Sequence, residues 1–125
     1  MNIEKKIKTL IVKKPLKLDC GKTIKDFPIA YETYGSLNSK KDNAILVFHA
    51  LTGDQFVTGI NPITKKEGWW SFAVGPGKAI DTDKYFVICS NVIGGCMGSY
   101  GPSHKDPVNN NIFGINFPVI TINDI

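Results

Sequence analysis

The sequence predicts an α/β fold, in which an opening antiparallel hairpin leads into a mostly parallel sheet. Three observations predict it. Residues 44–48 and 85–89 are short, continuously apolar runs, the make-up of strands covered on both faces. Residues 52–83 lie between them and are long enough for the crossover that parallel strands require. Two runs of alternating apolar and polar residues precede them, each closed by a glycine turn.

The elements follow in order. Residues 14–19 alternate, with Leu16 and Leu18 on one side and Lys17 on the other, and Cys20-Gly21-Lys22 forms the turn. Residues 27–34 alternate again up to Gly35, so the two runs can pair as a hairpin. A polar loop, residues 36–43, leads into the first buried strand. A short helix is expected in the crossover, over residues 68–74. Residues 90–118 are rich in Gly, Asn, Ser and Pro. Cys96, Met97, Tyr100 and Phe113 mark this stretch as an ordered lining rather than a linker. Thr121 and Asp124 have the spacing of a capping box at the start of a helix. The chain stops there, which gives the expectation of a truncated or split gene product. Residues 1–14 read as an N-terminal extension and residues 15–125 as a partial domain.

Composition excludes several classes of function. No segment has the length of uncharged apolar sequence that a membrane-spanning helix needs, and residues 7–12 are too short for a signal peptide. A cytoplasmic protein with no membrane partner is expected. The net charge is +4 and all fifteen basic residues are lysine. They are scattered, without a nucleic-acid-binding motif, so no nucleic-acid partner is expected. The lack of arginine removes the usual bidentate anchor for a substrate carboxylate. Three cysteines lack metal-ligand spacing and read as free thiols in a reducing compartment. No bound metal or cofactor is expected.

Several motifs fail on their context. Gly77-Lys78-Ala79 lacks the hydroxyl residue and the leading glycine of a phosphate loop. Gly94-Gly95-Cys96-Met97-Gly98 has the letters of a nucleophile elbow. Residues 91–95 separate Cys96 from the strand, however, and Tyr100-Gly101-Pro102 stands where a helix must begin. Ser99 fails as well, because Met97 occupies the preceding glycine position. His49 ends a strand, where it either acts as a base or, the favoured reading, bonds backbone and shapes the turn. The remaining signal is the turn after the first buried strand, His49-Ala50-Leu51-Thr52-Gly53-Asp54. Its N–H groups lie at the carboxyl edge of the sheet, where open α/β sheets bind ligands. The plain alternative is an ordinary strand-to-loop turn.

That turn is followed, in order, by Gly68-Trp69-Trp70, by residues 75–82 (Gly-Pro-Gly-Lys-Ala-Ile-Asp-Thr), by residues 85–91, by residues 94–99 and by Gly101-Pro102. Together with Tyr31-Glu32-Thr33-Tyr34-Gly35 and Phe117-Pro118-Val119, these words closely resemble the N-terminal part of the homoserine O-acetyltransferases. These are acyltransferases of methionine biosynthesis with an α/β-hydrolase fold. The resemblance covers residues 15–125 and ends before the nucleophile elbow.

The resemblance implies a ping-pong reaction on a Ser-Asp-His triad. Serine takes an acyl group from acetyl-CoA, and the hydroxyl of L-homoserine takes it from the acyl-enzyme. It implies that one oxyanion N–H comes from Leu51, with Thr52 the alternative. His49, Gly53, Asp54, Asn91, Gly94 and Gly95 would shape the pocket. No triad member falls within the chain, which is therefore expected to be inactive alone. A homodimer is expected of the full-length enzyme, and a separate C-terminal chain is a possible partner. Succinyl-CoA as donor, serine as acceptor, or a non-catalytic binding module are the alternatives that the sequence leaves open.

Overall fold

The computed structural model describes residues 7–125. Eight strands are present among them: β1 (Lys8–Val12), β2 (Leu16–Lys17), β3 (Thr23–Ile24), β4 (Phe27–Tyr34), β5 (Ala44–Val47), β6 (Val74–Gly75), β7 (Ile80–Asp81) and β8 (Phe86–Ser90). The main sheet has the order β1-β4-β8-β5. The described backbone divides into two compact units, residues 7–8 with 31–90 and residues 9–30 with 91–125. β4 runs from the second into the first.

The first unit is built on a parallel pair. β5 lies parallel to β8, with Ile45 opposite Val87 and Val47 opposite Cys89. This is the parallel pairing that the apolar runs imply. The outer half of β4 is antiparallel to β8, with Thr33 opposite Ile88 and Tyr34 opposite Val87. One face of the pair is buried: Val47, Val87 and Cys89 pack with Val57 and Val74, flanked by Ile45, Tyr34, Trp70 and Ile80. The other face differs from expectation. Leu46 is 56% and Phe48 72% exposed. A continuous apolar run tells that a strand wants cover on both faces, but the crossover residues Val57, Trp70, Val74 and Ile80 are packed on one of them.

The crossover also departs from the pattern reading. Residues 69–73 form consecutive turns, closed by Ser71 N–H to Gly68 O (3.2 Å) and Ala73 N–H to Trp70 O (2.9 Å), in place of a helix. β6 and β7 then pair parallel, Val74 with Ile80. Too few residues separate the turns from β6 for helical bonding to propagate.

The opening hairpin is smaller than expected. β2 pairs antiparallel with β3, Leu16 opposite Ile24, rather than with residues 27–34. The turn is the one read from the sequence: Leu18 N–H bonds Lys22 O at 2.8 Å around Gly21, whose φ is +84°. β4, freed from that role, serves the main sheet. β1 falls in the stretch read as an extension. In the first unit Lys8 Nζ meets the Glu32 carboxylate at 2.5 Å and the Thr33 hydroxyl at 2.7 Å.

The second unit has its own core of Leu18, Ile24, Phe27, Ile93 and Tyr100. Tyr100 is ringed by Phe27, His104, Phe113 and Phe117 at centroid distances of 6.2, 5.3, 5.9 and 5.4 Å. This aromatic cluster orders the Gly- and Asn-rich stretch, with Tyr100 and Phe113 in the lining; Cys96 is exposed and takes no part. The capping spacing at the C-terminus holds a single 3-10 turn, Ile122–Asp124. Asp124 Oδ2 accepts from Thr121 N–H (2.8 Å) and Oδ1 from Asp19 N–H (2.9 Å). The capping box is present, and the Thr121 hydroxyl also donates to Asp19, at 2.6 Å.

These contacts make two predictions. The backbone N–H groups of Thr121 and Asp19 hold the Asp124 carboxyl below its ordinary value, with burial opposing them. A depressed carboxyl stabilises the fold above its unfolded value near 3.8, and that contribution is lost as pH falls through the lower folded value. The protection factor of the Thr121 amide, the intrinsic exchange rate at the same pH divided by its observed rate, should therefore fall on acidification in the native chain and become flat with pH in Asp124→Asn. Separately, Gly35 has φ +73°, and a Cβ there would run into the carbonyl oxygens of Tyr85 and Thr82. Gly21 has similar backbone and open space. Urea unfolding should show Gly21→Ala costing about 1 kcal/mol from the left-handed backbone alone, and Gly35→Ala about 3 kcal/mol.

Candidate functional site

Counting only strands of the main sheet, β5 is third in chain order, and its carboxyl end delivers the chain into residues 48–54. Gly53 N–H bonds Ala50 O at 2.7 Å, closing a tight turn with Leu51 and Thr52 at its two corners. In such a turn the N–H groups of the corner residues are not used in closing it. No hydrogen bond from Leu51 or Thr52 N–H to another described residue is found. Both residues are exposed, Leu51 at 86%. Two consecutive, unengaged donors thus sit beyond the end of a parallel strand. Gly53 keeps the turn closed: a Cβ there would lie 3.0 Å from His49 Cβ and 3.2 Å from Ala50 O.

His49 is buried beneath this turn, with Nδ1 2.6 Å from the Ala50 carbonyl. A carbonyl only accepts, so Nδ1 carries the proton and the ring is fixed to the turn. This contact is of the backbone-bonding, turn-shaping kind. Asp54 anchors the descending loop. Oδ1 accepts from Phe56 N–H (2.8 Å) and Oδ2 from Asn61 Nδ2 (3.1 Å). Its carbonyl accepts from Trp69 Nε1 at 2.8 Å. Both carboxylate oxygens are engaged within the loop, as suits a residue that shapes it.

Cys89 lies in the same unit, its Sγ 3.9 Å from Asp54 O. Burial, helped by the Asp54 charge, pushes its thiol up to about 11. It is a packed hydrophobe rather than a nucleophile. Burial likewise pushes the Tyr34 phenol up to about 12, where its hydroxyl donates to Gln55 O at 3.4 Å.

Asn91, Gly94 and Gly95 belong to the second unit. Asn91 is 2% exposed; its N–H bonds Ala30 O at 2.8 Å and its Oδ1 accepts from Met97 N–H at 3.3 Å. Gly94 N–H donates to Tyr100 O (2.7 Å) and Gly95 N–H to Val92 O (3.0 Å), so both amides are spent on the turn. A Cβ at Gly95 would lie 2.6 Å from Asn91 Oδ1. The glycine run therefore packs around the Asn91 amide. Ser99 has a role that sequence reading did not find. Its hydroxyl, 1% exposed, accepts from Ala30 N–H (2.9 Å) and donates to Asn91 O (2.5 Å), bridging two backbone segments. A serine two residues from a chemically tempting cysteine carries no sequence signal for such a bridge. A cleft of about 690 Å³ in this unit, lined by Lys22, Lys25, Lys105, Tyr100 and Phe113 among others, contains none of the expected site residues.

With this geometry in place, comparison with known proteins identifies the lineage. No family profile matches the chain. Homoserine O-acetyltransferase from Pelagibacter ubique is 75% identical over 125 residues, all of this chain and 34% of the relative. Its namesake from Nitrobacter hamburgensis is 63% identical over 111 residues, 89% of this chain and 28% of the relative. Over its whole length the chain is similar to one part of the homoserine O-acetyltransferases. It spans about one third of the length of those relatives. Among solved structures, homoserine O-acetyltransferase from Bacillus anthracis superposes with a TM-score of 0.80 at 33% identity, over 94% of this chain and 33% of that one. An esterase superposes at 0.77 with 31% identity, again over 94% of this chain and 34% of its own. The fold is thus that of the N-terminal portion of an α/β-hydrolase.

Several family words now have a structural meaning. Gly68 N–H bonds Gly59 O at 2.7 Å and Trp70 N–H bonds Val57 O at 2.8 Å, with the rings of Trp69 and Trp70 stacked at 5.7 Å. These contacts hold the crossover. The thiols provide a direct check on the site. At pH 8, a small alkylating reagent should label exposed Cys20 and Cys96 and leave Cys89 unmodified until urea unfolds the chain, as counted by intact-mass spectrometry.

Proposed function

We propose that the chain supplies the oxyanion-binding side of an O-acyltransferase site, which moves an acetyl group from acetyl-CoA to the hydroxyl of L-homoserine. The observation that carries this reading is the turn of residues 50–53, with two unengaged N–H donors past the carboxyl end of β5. The identity to homoserine O-acetyltransferases over the whole chain supports it. In this reading a serine hydroxyl, activated by a histidine, attacks the thioester carbonyl. The carbonyl oxygen becomes negative and is held by Leu51 N–H, with Thr52 N–H as its neighbour. The coenzyme A thiol leaves. The homoserine hydroxyl attacks the acyl-serine through a second oxyanion held in the same place, and the serine is restored. Serine, aspartate and histidine come from the two thirds of the family's length that this chain does not span.

His49, Gly53 and Asp54 act as positioning residues for the donor turn. Asn91, Gly94 and Gly95 shape a second loop without donating N–H groups to the reaction. Acetyl-CoA is preferred over succinyl-CoA, and homoserine over serine, because the relatives bear the name homoserine O-acetyltransferase.

Proline provides the sharp test. At the first corner of a turn it is well tolerated, yet it removes the N–H. The 125 residues alone should release no thiol from acetyl-CoA in the presence of L-homoserine. Joined to the remaining two thirds of the Pelagibacter ubique relative, they should turn over. Leu51→Pro in that fusion should then lower kcat by about 100- to 1000-fold with unchanged thermal stability. A fusion that keeps its full kcat with proline at position 51 shows that Leu51 N–H does not hold the oxyanion.

A further inference from the structure

The cleft of about 690 Å³ in the second unit has an apolar lining that is buried and a cationic lining that is exposed. Ile24, Tyr100 and Pro118 are buried, and Phe113 is half-buried. Lys22, Lys25 and Lys105 are exposed and line the same space. Backbone bonds build the lining. Lys22 lies in the turn of the small hairpin, where its carbonyl accepts from Leu18 N–H at 2.8 Å. Asp26, with φ +47°, redirects the chain from β3 into β4 just beyond Lys25. In the other contributing segment, Lys105 forms a β-bridge with Ile112, and Asp106 N–H bonds Asn111 O at 2.8 Å. These bonds set the lining in place without a ligand.

The charges around the cleft are unevenly answered. Among the described residues, none of the three lysines is ion-paired. The two carboxylates of the lining already have partners. Asp26 meets Lys13 Nζ at 2.9 Å, and Asp106 Oδ1 accepts from Val108 N–H at 2.9 Å. Asp106 opposes the lysines with one charge, which leaves the lining net positive. Lysine ammonium groups act on an anion as point charges, and several together favour a doubly charged phosphate over a single carboxylate. Volume limits the rest of the ligand. Small-molecule sites measure about 300–1,000 Å³ and combine an apolar lining with a few polar groups. An inorganic ion would leave Tyr100 and Phe113 uncovered. We propose that this cleft binds a small phosphate monoester with a flat apolar body, the phosphate held among Lys22, Lys25 and Lys105 and the body laid on Tyr100 and Phe113. Both rings belong to the aromatic cluster of the second unit, which fixes their orientation. The proposal does not draw on acyl transfer.

The test uses the 125-residue chain with phenyl phosphate as the probe, followed by NMR at the rings of Tyr100 and Phe113. Saturable shifts at both rings are expected. Phenol and inorganic phosphate, titrated separately, should each bind about tenfold more weakly, because each meets one half of the lining. Lys25→Gln and Lys105→Gln should each weaken phenyl phosphate about threefold, the effect of one exposed ionic contact. Lys40→Gln, on an exposed loop of the first unit, should leave binding unchanged. Added sodium chloride should weaken binding by screening the lysines. This salt arm needs no variant, so it decides the part played by charge even where a substitution disturbs the fold. Four results overturn the proposal: no saturable shift at the two rings, phenol as tight as phenyl phosphate, inorganic phosphate as tight, or binding indifferent to salt. The readout is independent of catalysis, and Leu51→Pro tests the oxyanion reading separately.

Discussion

The register of β5 against β8 governs the first unit. Parallel pairing of Val47 with Cys89 puts the small, apolar side chains of both strands on one face, where Val57 and Val74 close over them. Once that face is packed, the direction of β5 is fixed and its carboxyl end must release the chain at His49. A shift of one residue would turn Leu46 and Phe48 into the core and expel Val47. The donor turn would then leave the sheet from the wrong side. The placement of the N–H groups of Leu51 and Thr52 is therefore a consequence of strand packing several residues earlier.

The turn itself is held by backbone and by near neighbours. His49 gives its Nδ1 proton to Ala50 O, Gly53 closes the turn, and Asp54 ties down the next segment through Phe56 and Asn61. His49 Nδ1 and both Asp54 carboxylate oxygens are thereby engaged away from the Leu51 and Thr52 N–H groups. Donors that have no internal bond to break are pre-organised for an acceptor, which is what the proposed oxyanion role asks of them. Asn91 and its glycines follow the opposite logic in the second unit. Their amides are consumed by the loop, and their value lies in the compactness that a side chain at Gly95 would destroy.

How much of this could be read beforehand depended on how local the cause was. The strand Phe27–Tyr34 was legible to the residue, because strict alternation and a closing glycine are properties of the segment itself. Its partner was not. Alternation says that a strand has two unlike faces and nothing about which neighbour it bonds, so the hairpin was assigned to the wrong pair. The helix over residues 68–74 failed for a related reason. Apolar content there serves packing of Trp70 and Val74 against β8, and tertiary contacts replaced helical bonding with turns. The turn at Leu51 and Thr52 was legible because strand-then-turn is a local pattern. The bridging hydroxyl of Ser99 depends on Ala30, 69 residues away, and leaves no mark on the sequence around it.

The uncovered face of β5 belongs to the same distinction. Continuous apolar character correctly indicated a strand that needs cover on both sides, yet the chain provides cover on one. Local sequence and local structure disagree at this place alone in the parallel pair, and the disagreement has a direction. Leu46 and Phe48 are poor choices for a surface and good ones for a core. The relatives that share these residues' surroundings continue for twice this length again. Both faces of β5 are apolar, and packing of Val57 and Val74 decides which of them is buried.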